Sequence, residues 1–376
     1  MPAMCIPDRA TVRNSYTYKM KVLIVHHQMA LFGGAELVIV RLSHWLQKRG
    51  HTVRILAAST SERSEYAGLD ILTPPKQAQW HLWDGSISSL RELTQVFLAL
   101  HKLCRELADD YDVVNAHNFP SVWAPPHNKK TVWMCNEVPD LWHRNNASDI
   151  TTQLLKPGRA LDRYIVHRKA LLTAVVVDEN IAANFRERYG FEPHIIPYGI
   201  DPFSAERRPT EKFTIIQPSM ISPSKCQLET LSAAPPDAQV IFAGYYEPGR
   251  PYTKQVREAS RGRNVVITGH VARTELQTLY SQSHVAVFPG RGQGSWLGPF
   301  EALSAGVPVI VSPNLSCSSL IAKHNLGTVT YNLTEELQTV HNNYTQYQEQ
   351  ALKASVWVRE NLTWDKFGAS MEELMQ

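Results

Sequence analysis

The segment from Pro289 to Ile310 constrains the fold more than any other part of this 376-residue chain. It has the pattern of a strand end, a glycine-rich loop, a short helix of small residues and a buried strand. Such a loop leaves backbone N–H groups free to face an anion, and the start of the helix adds positive potential. Glu301 lies one turn into this helix, where a carboxylate can bind a vicinal diol such as a ribose. The segment therefore indicates a nucleotide pocket.

Short apolar runs alternate with amphipathic stretches along most of the chain, which is the pattern of a parallel sheet with helical crossovers. The first helix is expected to follow Gly33-Gly34 and to end at Arg49-Gly50, since glycine after the last turn is a common C-terminal signal. The predicted class is α/β, with two Rossmann-like doubly wound domains that face each other across a cleft. Predicted strands cover 22–26, 53–57, 112–116, 131–135, 174–177 and 195–196, then 214–217, 240–243, 265–268, 285–288, 307–311 and 328–331.

The point where the second series of strands begins sets the domain boundaries. Residues 202–209, rich in proline and polar side chains, are the predicted linker. A terminal helix at 357–376 is expected to pack back on the first domain. Ligands of doubly wound sheets bind beyond the carboxyl ends of the strands, so the cleft is the expected site. We expect an N-terminal extension at 1–19 (with Met20 as a candidate alternative start), a first domain at 20–201 and a second domain at 202–356.

Composition argues against several classes of protein. No run of about 18 apolar residues predicts a membrane-spanning helix, and the first residues lack the apolar core of a signal peptide. The five scattered cysteines contain no Cys-x-x-Cys pair, which indicates reduced thiols and a cytoplasmic location. A net charge of +3 is too weak for a nucleic-acid binder.

The basic residues are unevenly distributed. Residues 1–200 hold 23 Lys and Arg against 19 Asp and Glu, whereas residues 201–376 hold 15 against 16. Within the basic half, the stretch 155–171 is mildly amphipathic. A solvated helix face is the simplest interpretation, and the alternative is peripheral contact of this half with an anionic membrane or acceptor. The basic residues of the stretch are Lys156, Arg159, Arg163, Arg168 and Lys169.

Several short motifs occur in a recognisable order. They are Gly33-Gly34-Ala35-Glu36 after the first strand, the run 112–118, the run 196–201, Gly269-His270-Val271, and the glycine loop with its helix. In this order and spacing the chain resembles the GT-B glycosyltransferases, in particular the retaining, family 4-like (group 1) enzymes, over about residues 20–370. The resemblance implies a nucleotide-diphospho-sugar donor held mainly by the second domain and an acceptor held by the first. It also implies retention of anomeric configuration, with no metal ion and no other cofactor.

The resemblance assigns donor-binding roles in the second domain. Lys225 matches a lysine that binds the diphosphate, where a cation offsets the charge growing on the leaving group. Glu301 matches the glutamate that binds the ribose hydroxyls. The family usually places an arginine where this chain has Met220, and Arg291 is a candidate replacement.

The glycine loop departs from the family at one position. Gln293 stands where similar enzymes have the first glutamate of a Glu-x7-Glu motif, which faces the donor sugar. Glutamine keeps a hydrogen-bond acceptor and adds a donor but carries no charge, so we expect this departure to affect donor identity and catalytic strength. The following residues are predicted to pass the diphosphate through their backbone N–H groups; they are Gly294, Ser295, Trp296 and Leu297.

In the first domain, Gly33 and Gly34 are predicted to let the backbone approach a phosphate or the reacting centre. His117 follows an apolar strand and matches a histidine that contacts the donor sugar; we expect a hydrogen-bonding and electrostatic role, not a nucleophile. Glu137, at the end of another strand, is the candidate acceptor-binding residue. Asp110 and Asp112 form an Asp-x-Asp sequence that we interpret as structural.

The leading hypothesis is a retaining, metal-independent hexosyltransferase that moves a sugar from a nucleotide-sugar to a glycan or lipid-linked acceptor. It is expected in the cytoplasm, with peripheral membrane association as a further option. One alternative is a nucleotide-sugar-binding protein without transfer activity, suggested by Gln293 and Met220 together. Another is a GT-B epimerase, although the sequence shows no clear set of acid and base residues for one.

Overall fold

A computed structural model of the protein describes residues 19–79, 87–139, 156–203, 206–292, 294 and 296–376. Residues 1–18 of the predicted extension, part of the linker, Gln293 and Ser295 lie outside this set. The described residues form two parallel sheets. Each is covered by helices, and most strand residues are buried, as expected for parallel sheets.

The first sheet has seven parallel strands in the order β3-β2-β1-β4-β5-β6-β7. Neighbouring strands are aligned so that His26, at the end of β1, lies beside His117, at the end of β4. The strands are β1 Lys21–His26, β2 Thr52–Ala57, β3 Ile71–Leu72, β4 Val113–His117, β5 Thr131–Met134, β6 Leu172–Val176 and β7 His194–Ile195.

The second sheet has six parallel strands in the order β10-β9-β8-β11-β12-β13. Its strands are β8 Thr214–Gln217, β9 Gln239–Ala243, β10 Val265–Gly269, β11 Val285–Phe288, β12 Val309–Val311 and β13 Thr328–Val329. In both sheets the strand order reverses direction beside the first strand, between β1 and β4 and between β8 and β11. These two reversals are where doubly wound sheets leave a crevice for ligands.

Twelve helices connect the described strands and close the chain. They are α1 Gly34–Lys48, α2 Ile87–Leu107, α3 Lys156–His167, α4 Glu179–Tyr189, α5 Gln227–Ala233, α6 Pro251–Ala259, α7 Arg273–Gln282, α8 Leu297–Ser304, α9 Ser318–Lys323, α10 Leu333–Asn342, α11 Tyr344–Asn361 and α12 Trp364–Met375. Among these described helices, none combines the length and the apolar character needed to cross a membrane.

Helix α1 shows how the local sequence sets an element. Its buried residues Val38, Leu42 and Leu46 repeat at the spacing of one helical face. The helix ends at Lys48, and Gly50 follows with a left-handed φ of +90°, a conformation that glycine adopts without steric cost. The predicted end of this helix at Arg49-Gly50 is confirmed.

The end of the chain differs from the single helix predicted for 357–376. Helix α11 runs to Asn361 in the second lobe, and a new helix, α12, starts at Trp364 after a break at Leu362. Thr363 caps the new helix by accepting a hydrogen bond from the Lys366 N–H at 3.2 Å. The signal for the break is therefore one threonine between two helix-forming stretches.

Helix α12 packs on α1 of the first lobe. A side chain at Gly368 would lie 2.4 Å from the ring of Trp45, so only glycine allows this approach. The Glu372 carboxylate, buried between the helices, accepts from Arg49 Nε at 2.8 Å and lies 2.6 Å from His51 Nε2. The chain thus returns to its first lobe at its end.

The predicted class, α/β with two facing Rossmann-like domains, is confirmed. All twelve predicted strands exist, with ends that differ by a few residues. The strand that the sequence pattern missed is β3, in which Ile71 and Leu72 pair with Ile55 and Leu56 at the edge of the first sheet. This short strand is followed closely by two consecutive prolines, which favour a turn or loop.

Candidate active site

The two lobes touch at the carboxyl ends of their strands. A side chain on Gly34, at the start of α1, would lie 3.2 Å from Leu297 Cδ1, at the start of α8. The rings of Tyr198 and Trp296 meet edge to face at 5.3 Å. Asn180 Nδ2 donates to the Ser316 carbonyl at 2.9 Å. The cleft is therefore nearly closed around the two sheet reversals.

The glycine turn after β1 is partly occupied by its own helix. The Gly33 N–H donates to Glu36 Oε2 at 2.8 Å, the glutamate half of a capping box. That N–H is therefore engaged within the protein, and the predicted approach of a ligand to Gly33 would have to use other atoms of the turn. Gly34 lies at the contact with Leu297 and permits the close approach of the lobes.

Behind this turn lies a buried chain of polar groups. His26 Nε2 lies 3.2 Å from Glu36 Oε1, and His26 Nδ1 lies 3.3 Å from the carbonyl of His117. All three residues are buried. Through His26, the Glu36 carboxylate thus links the glycine turn after β1 to the His117 carbonyl at the end of β4. These contacts fix the two strand ends relative to each other.

His117 is fully buried at the end of β4. Its Nε2 lies 2.8 Å from Asn115 Oδ1, and Asn115 Nδ2 in turn donates to the Val132 carbonyl at 2.9 Å. That second bond assigns Oδ1 as the acceptor, so the ring proton belongs on Nε2 of His117. Burial, together with the nearby His26, lowers the pKa of His117 to about 3.

The imidazole of His117 is therefore uncharged at neutral pH, and Nδ1 carries a lone pair. Nδ1 is buried, and no residue that the structure describes donates a hydrogen bond to it. The expected hydrogen-bonding role is chemically available as an acceptor from a hydroxyl. An electrostatic role as a cation is not available at pH 7, because burial keeps the ring neutral.

Lys225 lies next to a small recess at the reversal between β8 and β11. The recess opens to solvent and has a volume of about 180 Å³, and Lys225 is the only cation among its described lining residues. Burial lowers the pKa of the Lys225 ammonium, and the Glu137 carboxylate opposes that shift. The backbone here is fixed by Gln217, whose side chain donates to the Lys225 carbonyl at 2.5 Å. The recess is lined by Gln217, Ser219, Lys225, Phe288, Gly290 and Leu315.

Glu137 reaches from the first lobe to the glycine loop of the second. A side chain on Gly294 would lie 2.5 Å from Glu137 Oε1 and 3.4 Å from Lys225 Nζ. The carboxylate and the ammonium therefore face the same glycine from opposite lobes. Gly294 has no side chain to block either group, which explains why glycine stands at this position.

Other residues of the glycine loop have contacts that differ from the predicted donor-binding roles. Arg291 forms an ion pair with Glu229 on the exposed surface, so its guanidinium is engaged by a carboxylate in this structure. Trp296 is buried against Tyr198 and Phe300. The predicted roles of Gln293 and Ser295 lie outside the described residues.

Glu301 projects from α8 and is mostly buried, with 15% of its side chain exposed. Its Oε1 lies 3.1 Å from Arg273 Nη1, on α7. Burial raises the pKa of Glu301, and the Arg273 guanidinium opposes that shift. Among the described residues none donates to Oε2, so one oxygen of the carboxylate is held by protein and the other is available to a ligand.

Sequence reasoning missed the group that surrounds Glu301. The Asp201 carboxylate accepts from Arg41 Nε at 3.1 Å and from Trp364 Nε1 at 2.8 Å. Its carbonyl accepts from Arg273. Asp201 ends the run 196–201 that was noted as a motif, but its partners come from three distant parts of the chain, and no local pattern reveals them.

The Asp-x-Asp sequence lies far from this cleft. Asp112 Oδ2 accepts from the Lys21 N–H at 2.7 Å, at the amino ends of β1 and β4. This is the opposite edge of the sheet from His117, which supports the structural interpretation. Throughout the described part of the chain, no three metal-ligating side chains cluster.

Two family models match the chain. The Glycosyltransferase Family 4 model matches residues 32–202, and the Glycosyl transferases group 1 model matches residues 227–339. The first match covers the lobe with the glycine turn and His117, and the second covers Lys225, the glycine loop and Glu301. No curated protein matches the chain.

Solved structures share the fold over nearly their whole length. WaaG, a glycosyltransferase involved in lipopolysaccharide biosynthesis, is 15% identical with a TM-score of 0.74, over 94% of this chain and 99% of that one. Sucrose-phosphate synthase from Thermosynechococcus elongatus is 15% identical with a TM-score of 0.75, over 95% and 98%. HepE of Anabaena, in complex with UDP and glucose, is 16% identical with a TM-score of 0.71, over 94% and 98%.

Proposed function

The chain belongs to the GT-B glycosyltransferases, and from this premise we propose that it transfers a hexosyl unit from a nucleotide-diphospho-sugar to a glycan or lipid-linked acceptor. The proposal includes retention of anomeric configuration and no requirement for a metal ion. The observation that carries it is the placement of Lys225 and Glu301 at the carboxyl edge of one sheet, beside the reversal of strand order. That edge is where doubly wound sheets bind nucleotides.

The donor is proposed to lie along this edge with its ribose at Glu301 and its diphosphate at Lys225. A carboxylate oxygen accepts hydrogen bonds from ribose hydroxyls, and an ammonium stabilises phosphate oxygens. HepE was solved with UDP and glucose, so UDP-glucose is the first donor to test here. The recess beside Lys225 is small in the closed structure, and binding therefore requires the lobes to separate and close again.

For the reaction, Lys225 is proposed to stabilise negative charge as the bond between the anomeric carbon and the phosphate oxygen breaks. The acceptor hydroxyl attacks from the same face, and its proton passes to the departing phosphate oxygen. His117 Nδ1 accepts a hydrogen bond from a hydroxyl of the sugar. Glu137, which faces Lys225 from the first lobe, is proposed to orient the acceptor.

The first lobe also offers a surface for the proposed membrane contact. On and after α3, Leu161, Tyr164 and Leu171 are each at least half exposed, with Arg163 and Arg168 beside them in sequence. Apolar side chains with flanking cations suit the interface of an anionic bilayer. Sedimentation with vesicles that contain anionic lipid would test this part, and binding that is equal with purely zwitterionic vesicles would contradict it.

A protein that binds nucleotide-sugars without transferring them is the second candidate. Lys225 is the only described cation in the recess, and Arg291 is engaged with Glu229. An enzyme with one cation at the diphosphate would be slower than one with two. This candidate predicts donor binding without transfer or slow donor hydrolysis.

The test is a panel of nucleotide-sugars screened by thermal shift and by release of nucleoside diphosphate. Binding raises the apparent stability by mass action, and we expect one UDP-, GDP- or ADP-sugar to stabilise the wild type and to be slowly hydrolysed. Lys225→Ala should lose hydrolysis. The matched control is Arg261→Met, which removes an exposed surface arginine. A panel in which no nucleotide-sugar binds would contradict the proposed function, and binding without any turnover would favour the second candidate.

A further inference from the structure

Arg273 stands directly behind the carboxylate of Glu301. One nitrogen of its guanidinium lies 3.1 Å from Glu301 Oε1, and another donates to the carbonyl of Asp201. The guanidinium carbon also lies 4.0 Å from the ring centre of Phe203. Three separate partners therefore hold this side chain, which is more constraint than an isolated surface ion pair supplies.

Asp201, one of the partners of Arg273, is itself held by several contacts. Asp201 lies where the chain leaves the first lobe, and its carboxylate is held by Arg41 of α1 and by Trp364 of α12. Phe203 is fixed too, because its N–H donates to Ser304 Oγ on α8 at 3.1 Å. The position of the guanidinium is thus set by the crossover between the lobes.

Arg273 in turn restricts the side chain of Glu301. Without this contact the Glu301 carboxylate could rotate about its side-chain torsions, and burial favours the neutral form of the carboxyl group. Arg273 contacts Oε1 and leaves Oε2 without a donor among the described residues. The charged and titratable groups near Glu301 are Arg273, which favours the ionised form, Asp201, which opposes it, and the buried Tyr280.

We infer that Arg273 is a positioning residue, which orients Glu301 so that Oε2 faces the ribose hydroxyls of the donor. This inference rests on the proposed function, in which Glu301 binds the ribose. It assigns ribose recognition to a pair of residues, one that contacts the nucleotide and one that acts through the first. It also predicts that the site discriminates a ribose from a 2′-deoxyribose, because an aimed acceptor left without a donor is costly when buried.

The experiment measures the binding of UDP and 2′-deoxy-UDP by calorimetry between pH 5.5 and 8.5. The proteins are the wild type, Arg273→Met, Arg273→Lys and Glu301→Gln, with Arg261→Met as the control. For Arg273→Met we expect UDP binding to weaken about 10-fold at pH 7, roughly the loss of one charge-assisted hydrogen bond, and the preference for UDP over 2′-deoxy-UDP to shrink. Arg273→Lys should restore part of both.

The pH dependence separates positioning from a general loss of structure. Binding through ionised Glu301 is present above its pKa and lost as pH falls through it. Removing the guanidinium raises that pKa further, so Arg273→Met should lose affinity at a higher pH than the wild type. Glu301→Gln has no such titration and should bind weakly at every pH. Thermal unfolding checks each variant, and Arg273→Gln replaces Arg273→Met if the latter does not fold.

Two outcomes overturn the inference, and they differ. If Glu301→Gln weakens UDP binding while Arg273→Met matches the wild type in affinity, sugar preference and pH profile, positioning is wrong and ribose binding by Glu301 stands. If Glu301→Gln binds UDP and 2′-deoxy-UDP as the wild type does, the ribose assignment fails and the role of Arg273 fails with it.

Discussion

The proposed ligand-binding groups on the two sides of the cleft differ in charge and in burial. On the second lobe, Glu301 and Arg273 form an ion pair that remains partly open, and Lys225 borders a recess. On the first lobe, His117 is fully buried, neutral and bonded to Asn115. The proposed donor-binding groups of the second lobe are therefore charged, whereas His117 of the first lobe is neutral.

This difference matches what each side would contact in the proposed function. The donor carries a charged diphosphate and a ribose, and negative charge grows on the diphosphate as the sugar leaves, so ionic groups suit this side of the cleft. The sugar is uncharged and must be recognised by the placement of single hydrogen bonds. A neutral histidine with one defined proton supplies such a bond without attracting a charged competitor.

The largest effect should come from the charged side. Lys225→Ala removes the described cation of the recess, and we expect turnover to fall about 10²-fold or more, the loss typical of one preorganised group at a developing anion. Lys225→Arg, which keeps the charge, should lose less. The measurement is kcat at saturating donor. Near-normal turnover in Lys225→Ala would contradict the claim that charged groups on the second lobe contribute most to the reaction.

A smaller effect is expected from the neutral side. His117→Ala removes one hydrogen-bond acceptor, which corresponds to about a 10-fold loss in turnover. Because the folded-state pKa of His117 is about 3, the contribution of this residue to turnover should be constant from pH 5.5 to 8.5. A turnover ratio between wild type and variant that changes steeply near pH 6.5 would show that the ring titrates during the reaction.

The same residue makes a prediction about stability. An unfolded histidine binds a proton below its ordinary pKa of 6.5, whereas the folded His117 does not until about pH 3. Stability is therefore lost as pH falls from 6.5 towards 3, since the unfolded state then binds more protons. His117→Phe should flatten this part of the stability curve in urea unfolding. An unchanged slope would mean that His117 is protonated in the folded protein.

The smallest effect concerns the contact that joins the two sides. A side chain at Gly34 would lie 3.2 Å from Leu297 Cδ1, slightly too close for ordinary packing. Gly34→Ala should reduce turnover about threefold by hindering closure, and Gly34→Ala with Leu297→Ala should be less impaired than the two single losses combined predict. Additive effects in this double-mutant cycle would show that the contact does not limit closure.

The sequence predicted the sheet architecture well because the signal is local. Apolar runs such as 22–26 and 285–288 identify strands, and glycine at position 50 identifies a helix end. Glu301 could be proposed as a ribose-binding residue for a similar reason, since its loop and helix are contiguous. Its neighbours were not found, because Arg41, Asp201 and Arg273 come together only after the chain has crossed between lobes.

The charge state of His117 also could not be predicted from the sequence. A strand-end histidine looks the same whether it is exposed or buried, and only the three-dimensional structure shows that burial keeps it neutral. The engagement of the Gly33 N–H by Glu36 illustrates the same point. A Gly-Gly turn suggests free backbone donors, but a glutamate three residues later can occupy one of them.

The most direct test of the account is a crystal structure of the protein with UDP. We expect a ribose hydroxyl within about 3 Å of Glu301 Oε2, the phosphates beside Lys225, and the terminal phosphate directed towards His117 of the first lobe. UDP bound at any other edge of either sheet, or Glu301 still contacting only Arg273 beside an ordered ribose, would contradict it.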